Sequence, residues 1–372
     1  MSPSPANGIR ARRLPAGALS AALGLLGLLS VLCFHFPEWL TTPEVRAAID
    51  LPLLRKLLLG GLIAAIASGV AALFLRAERR AGLIGLTAAA VAFALGGHTV
   101  PETQAVPLRT FYIGLDYFIL SLFFTALAFV TLERLFPKRA DQPVMRAEAG
   151  LDLRYFALNH LGVSLILLTV NGIAAMAGDV RLTGGLLPDP AAMPLWLQFL
   201  MIVLVADLTQ YWQHRIFHRV PFLWRFHAVH HSVRQMDWLA GSRLHFLEVL
   251  FQRALVVAPI HLLGFAREAI DIYVIFAGII TVFIHANIGV DFGWLRYVIA
   301  TPSFHHWHHA ASPEAHDRNF AVHLPVLDLL FGTFHLPGRR WPDAYGLEGK
   351  RPAQGLIAQH LQPFRRAPDG AP

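Results

Sequence analysis

Apolar residues run through this chain in blocks, with strongly polar positions confined to short breaks. Eight stretches stand out, at about 17–35, 57–75, 81–97, 111–133, 155–177, 194–213, 247–264 and 269–290. Most approach the roughly 20 residues that carry a helix across a bilayer, so each is predicted as a membrane-spanning helix. The third is short and rich in Gly and Ala, which makes its span the weakest. Arg10, Arg12 and Arg13 give the first stretch the look of a secretory signal, but Phe36-Pro37-Glu38-Trp39 lacks the small residues of a cleavage site. It is predicted to stay as an uncleaved anchor. The last two stretches are joined only by Gly264-Phe265-Ala266-Arg267-Glu268, so they read as a hairpin, spanning or re-entrant, that leaves and re-enters one side.

Composition agrees with this pattern. Of 372 residues, 55% are hydrophobic and only 15% charged, too apolar for an ordinary soluble protein. The fold class expected is an all-α integral membrane protein. The net charge of +7 does not point to nucleic acid, because the basic residues sit at the ends of apolar stretches and form no single patch. They set topology instead. Arg10, Arg12, Arg13, Arg76, Arg79, Arg80, Arg134, Lys138, Arg139, Arg146 and Arg154 fall on one set of loops, against Arg46, Arg55, Lys56, Arg109 and Arg181 on the other. The positive-inside rule places the first set, and with it the end of the sixth stretch, in the cytoplasm. One cysteine, Cys33, excludes disulfides within the chain and thiolate clusters.

Just past the sixth stretch the chain becomes rich in histidine. His214 and His218 are four apart; His227, His230 and His231 follow, then His305, His306, His308 and His309. Imidazole is the commonest protein ligand for borderline transition metals, and this many exceed the needs of one four-coordinate ion. The count predicts two metal ions. On a helix His214 and His218 share a face, and each HxxHH motif is expected to give three imidazoles a common direction, with His306 about 100° away and outside the metal shell. The hairpin brings His285 to the same side. Asp207, an acid inside an apolar stretch, is expected to orient one of His214 and His218 as a hydrogen-bond acceptor. His245, in Arg243-Leu-His245-Phe-Leu-Glu248, is a candidate further ligand or clamp. His261, His316, His323 and His335 lack paired spacing and are assigned packing or surface roles.

At these residues the chain resembles the fatty acid hydroxylase, or sterol desaturase, superfamily of histidine-rich membrane di-iron oxygenases, in a bacterial-type form. The likeness runs from about Asp152 to Pro337. It includes the histidine pattern, Arg243-x-His245-x-x-Glu248, His285-x-Asn287, Thr301-Pro302, Asp317-Arg-Asn319-Phe320 and Asp328-Leu-Leu-Phe331-Gly332-Thr333. The resemblance implies a multi-span helical bundle whose cytoplasmic helical cap holds two irons and uses O2 to attack an unactivated C–H bond of a membrane lipid. It implies ligands at His214, His218, His227, His230, His231, His285, His305, His308 and His309, with His245 as a less secure addition. Some members carry a second histidine where this chain has Gly289, which leaves room for a water held by Asn287. Apolar pattern, resemblance and composition together divide the chain into N-terminal transmembrane helices at 1–150, with about four spans, a di-iron domain at 151–340, and a tail at 341–372 expected to be loosely ordered.

No Gly-rich dinucleotide fingerprint or haem-attachment motif occurs, so two electrons must come from outside. A reductase, ferredoxin or b-type cytochrome is implied, or a reduced pterin. Desaturation of a lipid or sterol by the same site is the alternative reaction. A histidine-based metal transporter is disfavoured because the histidines sit at span ends and not near the midplane. A dinuclear zinc hydrolase is disfavoured because the clusters hold no carboxylate to act as general base.

Overall fold

The computed structural model describes residues 16–365, apart from 77, 102–105, 107–111, 163–164, 167, 169–171, 173–188 and 348–352. The described residues form helices joined by turns, with two isolated β-bridges, Pro137 to Ile288 and Ala310 to Tyr345, and no strand. Seven helical segments are long and apolar enough to cross a membrane. Most of the fifth predicted stretch, 155–177, lies outside the described residues. The chain divides into two compact units, 1–120 and 121–372.

In the first unit, α1 (Ala16–His35), α2 (Leu51–Phe74) and α3 (Arg79–Ala94) pack through small residues. A Cβ on Gly85 would lie 2.2 Å from the Ser20 backbone, so only glycine permits this approach of α3 to α1. Ser20 Oγ–H donates to the Ala65 carbonyl of α2 at 2.7 Å. Lipid is as apolar as the helix surfaces, so association of this kind comes from close van der Waals contact and from hydrogen bonds between helices.

α4 (Leu115–Leu135) crosses the division, and the second unit continues with α5 (Ala149–Leu161), α6 (Leu195–Arg219) and α7 (Pro221–His227). Then come α8 (Phe246–Leu263), α9 (Arg267–His285) and α10 (Pro302–His308). α6 stops where it does because Pro221 holds Val220 extended, at φ −95° and ψ 113°. Gly264, at φ 73°, ends α8 in the left-handed region and starts the turn into α9. α6, α8 and α9 bury Ile202, Val203, Ala206, Val256, Ile260, Ala269, Tyr273 and Ala277 against one another. α6 runs toward the histidines, α8 starts beside them and α9 returns to them, so three helix ends meet at one place.

The segment expected to be a loose tail is helical in α11 (Leu356–Leu361). Gln359 is buried and accepts from Tyr155 Oη–H of α5 at 2.7 Å, while Phe364 packs edge-on against Phe226 of α7. Single hydrogen bonds and ring contacts anchor this helix; Leu361 and Phe364 stay largely exposed. It has no apolar stripe, so no periodicity announces it.

Candidate metal centre

The last turns of α6 carry His214 and His218, α7 ends on His227, and a 3-10 turn carries His230 and His231. His285 closes α9, and α10 supplies His305 and His308, followed by His309 as its C-cap. These nine side chains form two compact groups: His214, His218, His227, His231 and His308 in one, and His230, His285, His305 and His309 in the other. Within each group one nitrogen per residue lies within 4.8 Å of all the others.

This grouping corrects the expectation that each HxxHH motif points one way. Residues i and i+4 stay together, as His214 with His218, His227 with His231 and His305 with His309. The residue at i+3 crosses over: His230 joins the second group and His308 the first. Adjacent residues on a helix differ by about 100°, so His230 and His231, or His308 and His309, must face different ions. His306, the other adjacent residue, is buried outside both groups, between Tyr345 Oη at Nδ1 and the His285 carbonyl at Nε2.

Acceptors behind six of the nine rings fix their tautomers. Nδ1–H of His214 donates to the Phe320 carbonyl (2.8 Å), of His308 to Arg318 (2.8 Å), of His230 to Arg243 (3.1 Å) and of His285 to Thr281 (2.7 Å). His227 Nδ1–H donates to Glu248 Oε1 at 2.6 Å, and His218 Nδ1 lies 3.3 Å from Asp317 Oδ1. In a neutral imidazole this leaves Nε2 as a bare lone pair. Burial first, and neighbouring imidazoles second, push His227, His230, His231, His305, His308 and His309 well below the usual imidazole range. They are neutral, the form that binds metal. The hydrogen bond from His218 holds Asp317 below the usual carboxylate range.

The Nε2 atoms then face one another: His214 and His227 at 3.0 Å, His227 and His231 at 3.1 Å, His230 and His285 at 3.3 Å, His285 and His305 at 3.0 Å, His305 and His309 at 3.1 Å. Where both partners have given their proton to Nδ1, no hydrogen remains to bridge them. Nitrogens bound to one ion at about 2.1 Å sit about 3.0 Å apart at right angles. The spacings fit imidazoles sharing a cation. His218 Nε2 and His308 Nε2 are buried without a hydrogen-bond partner, as a ligand atom would be. The residues present therefore fit two metal ions, held by nitrogen alone.

Four sequence assignments are corrected. Asp207 lies seven residues before His214, about 10.5 Å along the helix, too far to touch it. Its buried carboxylate accepts instead from the backbone N–H groups of Val322, His323 and Leu324 and from His323 Nδ1, tying down the loop that follows the third cluster. His245 caps α8: Nδ1 accepts from Leu247 N–H and Nε2–H donates to the His360 carbonyl, so neither nitrogen is left for a metal. Asn287 spends its amide on the backbone of Arg139, accepting at 2.9 Å and donating at 3.1 Å. Gly289 donates to the Phe136 carbonyl, and a Cβ there would lie 2.9 Å from Lys138 Cα, so the position faces backbone, away from the imidazoles.

Sequence reasoning missed the acceptors. Glu248 and Asp317, not Asp207, are the carboxylates behind cluster histidines, and the motifs Arg243-x-His245-x-x-Glu248 and Asp317-Arg-Asn319-Phe320 were their only signals. Gly241 also has a steric role, since a Cβ would lie 2.9 Å from His285 Nδ1. Arg243, which lends His230 its carbonyl, is fully buried in an ion network with Asp152, Arg146 and Asp237. A cavity of about 90 Å³ opens onto both histidine groups between α6, α8 and α9.

Residues 199–333, the stretch that carries every one of the nine histidines, match the family model described as fatty acid hydroxylase. The ornithine lipid hydroxylase OlsE of Rhizobium tropici is 36% identical over 181 residues, 48% of this chain and 53% of the relative. An alkylglycerol monooxygenase of Danio rerio is 32% identical over 148 residues, 40% of this chain and 32% of the relative. Methylsterol monooxygenase 1-2 of Arabidopsis thaliana is 28% identical over 160 residues, 40% and 50% respectively. The chain thus spans about half the length, or less, of these curated relatives. No solved structure matches it.

Proposed function

We propose that this integral membrane protein, whose residues 199–333 match the fatty acid hydroxylase family model, is a di-iron oxygenase that hydroxylates an unactivated C–H bond of a membrane lipid. The balance is one lipid C–H, one O2, two electrons and two protons, giving one C–OH and one water. The observation that carries the reading is the pair of all-imidazole groups, five and four histidines, with bare Nε2 atoms 3.0–3.3 Å apart. Iron is the metal proposed for both, with the nine histidines as its ligands. When bound it supplies what no side chain has, activation of O2 and cleavage of an aliphatic C–H bond.

The chain's own residues hold and shield. Glu248, Asp317 and four backbone carbonyls keep protons on Nδ1, so that Nε2 stays free without any change of protonation. Burial of every ligand ring excludes bulk water. The absence of a carboxylate within either group argues for oxygen chemistry over hydrolysis, which needs a general base. Hydroxylation is preferred to desaturation because the relatives are named as hydroxylases and monooxygenases. The electrons come from an external reductase, ferredoxin, b-type cytochrome or reduced pterin. The charge bias of the loops supports a site on the cytoplasmic face of the inner membrane, and residues 1–150 are proposed as added membrane scaffold.

The test is an untargeted lipid comparison of cells with and without the gene, grown under air and under isotopically labelled oxygen. A lipid heavier by one oxygen atom, labelled from O2, is expected; loss of two hydrogens would indicate desaturation. His230→Ala and His308→Ala, one from each group, are expected to abolish the product while the protein still inserts. If no lipid changes mass, the reading is wrong.

A further inference from the structure

The cavity beside the histidines is lined in an unexpected way for a site that takes up only hydrocarbon. Leu244, Ala277, Ile284 and Val322 contribute apolar surface, but Gln210, Gln213, Gln252 and Arg253 line it too, on helices otherwise apolar enough to span a membrane. Gln213 is 5% exposed, and its Nε2 has no hydrogen-bond partner. Gln210 Oε1 is likewise buried and unpartnered. Both sit within one turn of His214 on α6, Gln210 at i−4 and Gln213 directly before it. Buried amide groups are nearly always satisfied, so two left open in one cavity mark a place where a ligand supplies the partner.

Arg253 adds charge. It lies seven residues into α8, about 10.5 Å along an apolar helix, lines the cavity with its side chain otherwise exposed, and forms no ion pair or hydrogen bond among the described residues. A charged side chain within a span is costly enough to mark a pathway or a counter-ion site. Gln252, beside it, donates from Nε2 to Glu248 Oε1 at 2.9 Å, which links the cavity wall to the acceptor of His227. At about 90 Å³ the cavity has room for a few waters, or for a small polar group and the carbon next to it.

We propose that this cavity receives the head-group end of an acidic lipid. Its carboxylate or phosphate oxygens are held by Arg253 and the amides of Gln210 and Gln213, and the carbon presented to the histidines lies within a few bonds of the head group. The inference rests on the oxygenase reading and narrows it, because a mid-chain methylene would leave all three polar side chains unmatched. An acidic head group enters with the correct charge, and its hydrocarbon tail remains among the apolar faces of α8 and α9.

The test uses the purified full-length protein in neutral detergent with three probes of equal tail length: decyl phosphate, N-decanoylglycine and 1-decylglycerol. Native mass spectrometry reads binding without turnover. An acidic probe is expected to bind about ten- to a hundredfold tighter than decylglycerol, the size of a charge-assisted hydrogen bond, and the tighter of the two acids identifies phosphate or carboxylate as the source. Arg253→Gln should erase the preference, Arg253→Lys should retain part of it, and Gln213→Leu should weaken the acidic probes with bound metal unchanged. Equal binding of decylglycerol, or a preference that survives Arg253→Gln, overturns the assignment. The labelled oxygen should appear on a carbon within a few bonds of the head group. Oxygen placed mid-chain overturns the cavity assignment and leaves the oxygenase standing. Acidic preference without any lipid oxidation does the reverse.

Discussion

Glu248 and Asp317 serve the centre without entering either group of ligands. Each accepts from an Nδ1–H, and a ring so held presents a more basic Nε2 in a fixed direction. Glu248→Ala is therefore expected to weaken metal binding at the five-histidine group by about 10- to 100-fold and to leave the four-histidine group filled. A metal titration followed by elemental analysis would then show a ratio falling from two toward one; retention of both ions at wild-type affinity would deny Glu248 this role. Gly289 offers the opposite case. Its resemblance-based part as a missing ligand disappears once a Cβ there meets Lys138 Cα at 2.9 Å. Gly289→His should add no metal and should destabilise by about 1–3 kcal/mol through overpacking, read as a lower apparent unfolding midpoint; a third ion, or unchanged stability with tighter binding, would count against this.

At the scale of elements, helical phase sorts the histidines. Four residues return a side chain to nearly the same face, while three residues turn it about 60° away, so a single HxxHH segment serves two ions at once. The spacing was in the sequence, but not which side of the helix each ion occupies, because that depends on where α6, α9 and α10 converge. The second cluster also needs its backbone fixed. Arg243 holds the carbonyl that receives His230 Nδ1–H, and Arg243 is itself held by Asp152 of α5, which also binds Arg146. Removing one member of a buried ion network leaves uncompensated charge, a loss of about 3–5 kcal/mol. Asp152→Ala should show it as sharply reduced yield of folded protein, with the metal lost from the four-histidine group first; a variant with wild-type midpoint and full metal would show the network to be dispensable.

For the molecule as a whole, cations bound among Nε2 atoms packed 3.0–3.3 Å apart are expected to stabilise the folded state. An ion present at about 1,000 times its Kd adds about 4 kcal/mol, and a domain of 150–250 residues shifts by about 2–4 °C per kcal/mol. Stripping both ions by chelation is expected to lower the apparent midpoint by at least about 10 °C, restored by adding Fe(II); a midpoint indifferent to chelator would refute the metal centre. Much of this was legible beforehand. Long apolar blocks determined a helical membrane protein, since a span must satisfy its backbone internally. Histidine spacing and a single cysteine, Cys33, far in the sequence from the clustered histidines, predicted an imidazole centre for two ions. Three features came only from the tertiary structure: the division of nine histidines into five and four, the replacement of Asp207 by Glu248, and the polar cavity at Gln213 and Arg253. The physical reason is common to all three. Most of the acceptors that orient the rings are backbone carbonyls, which every residue carries and no side chain advertises. Which group reaches the site depends on contacts between segments distant in the chain, as from His214 to Phe320, 106 residues apart.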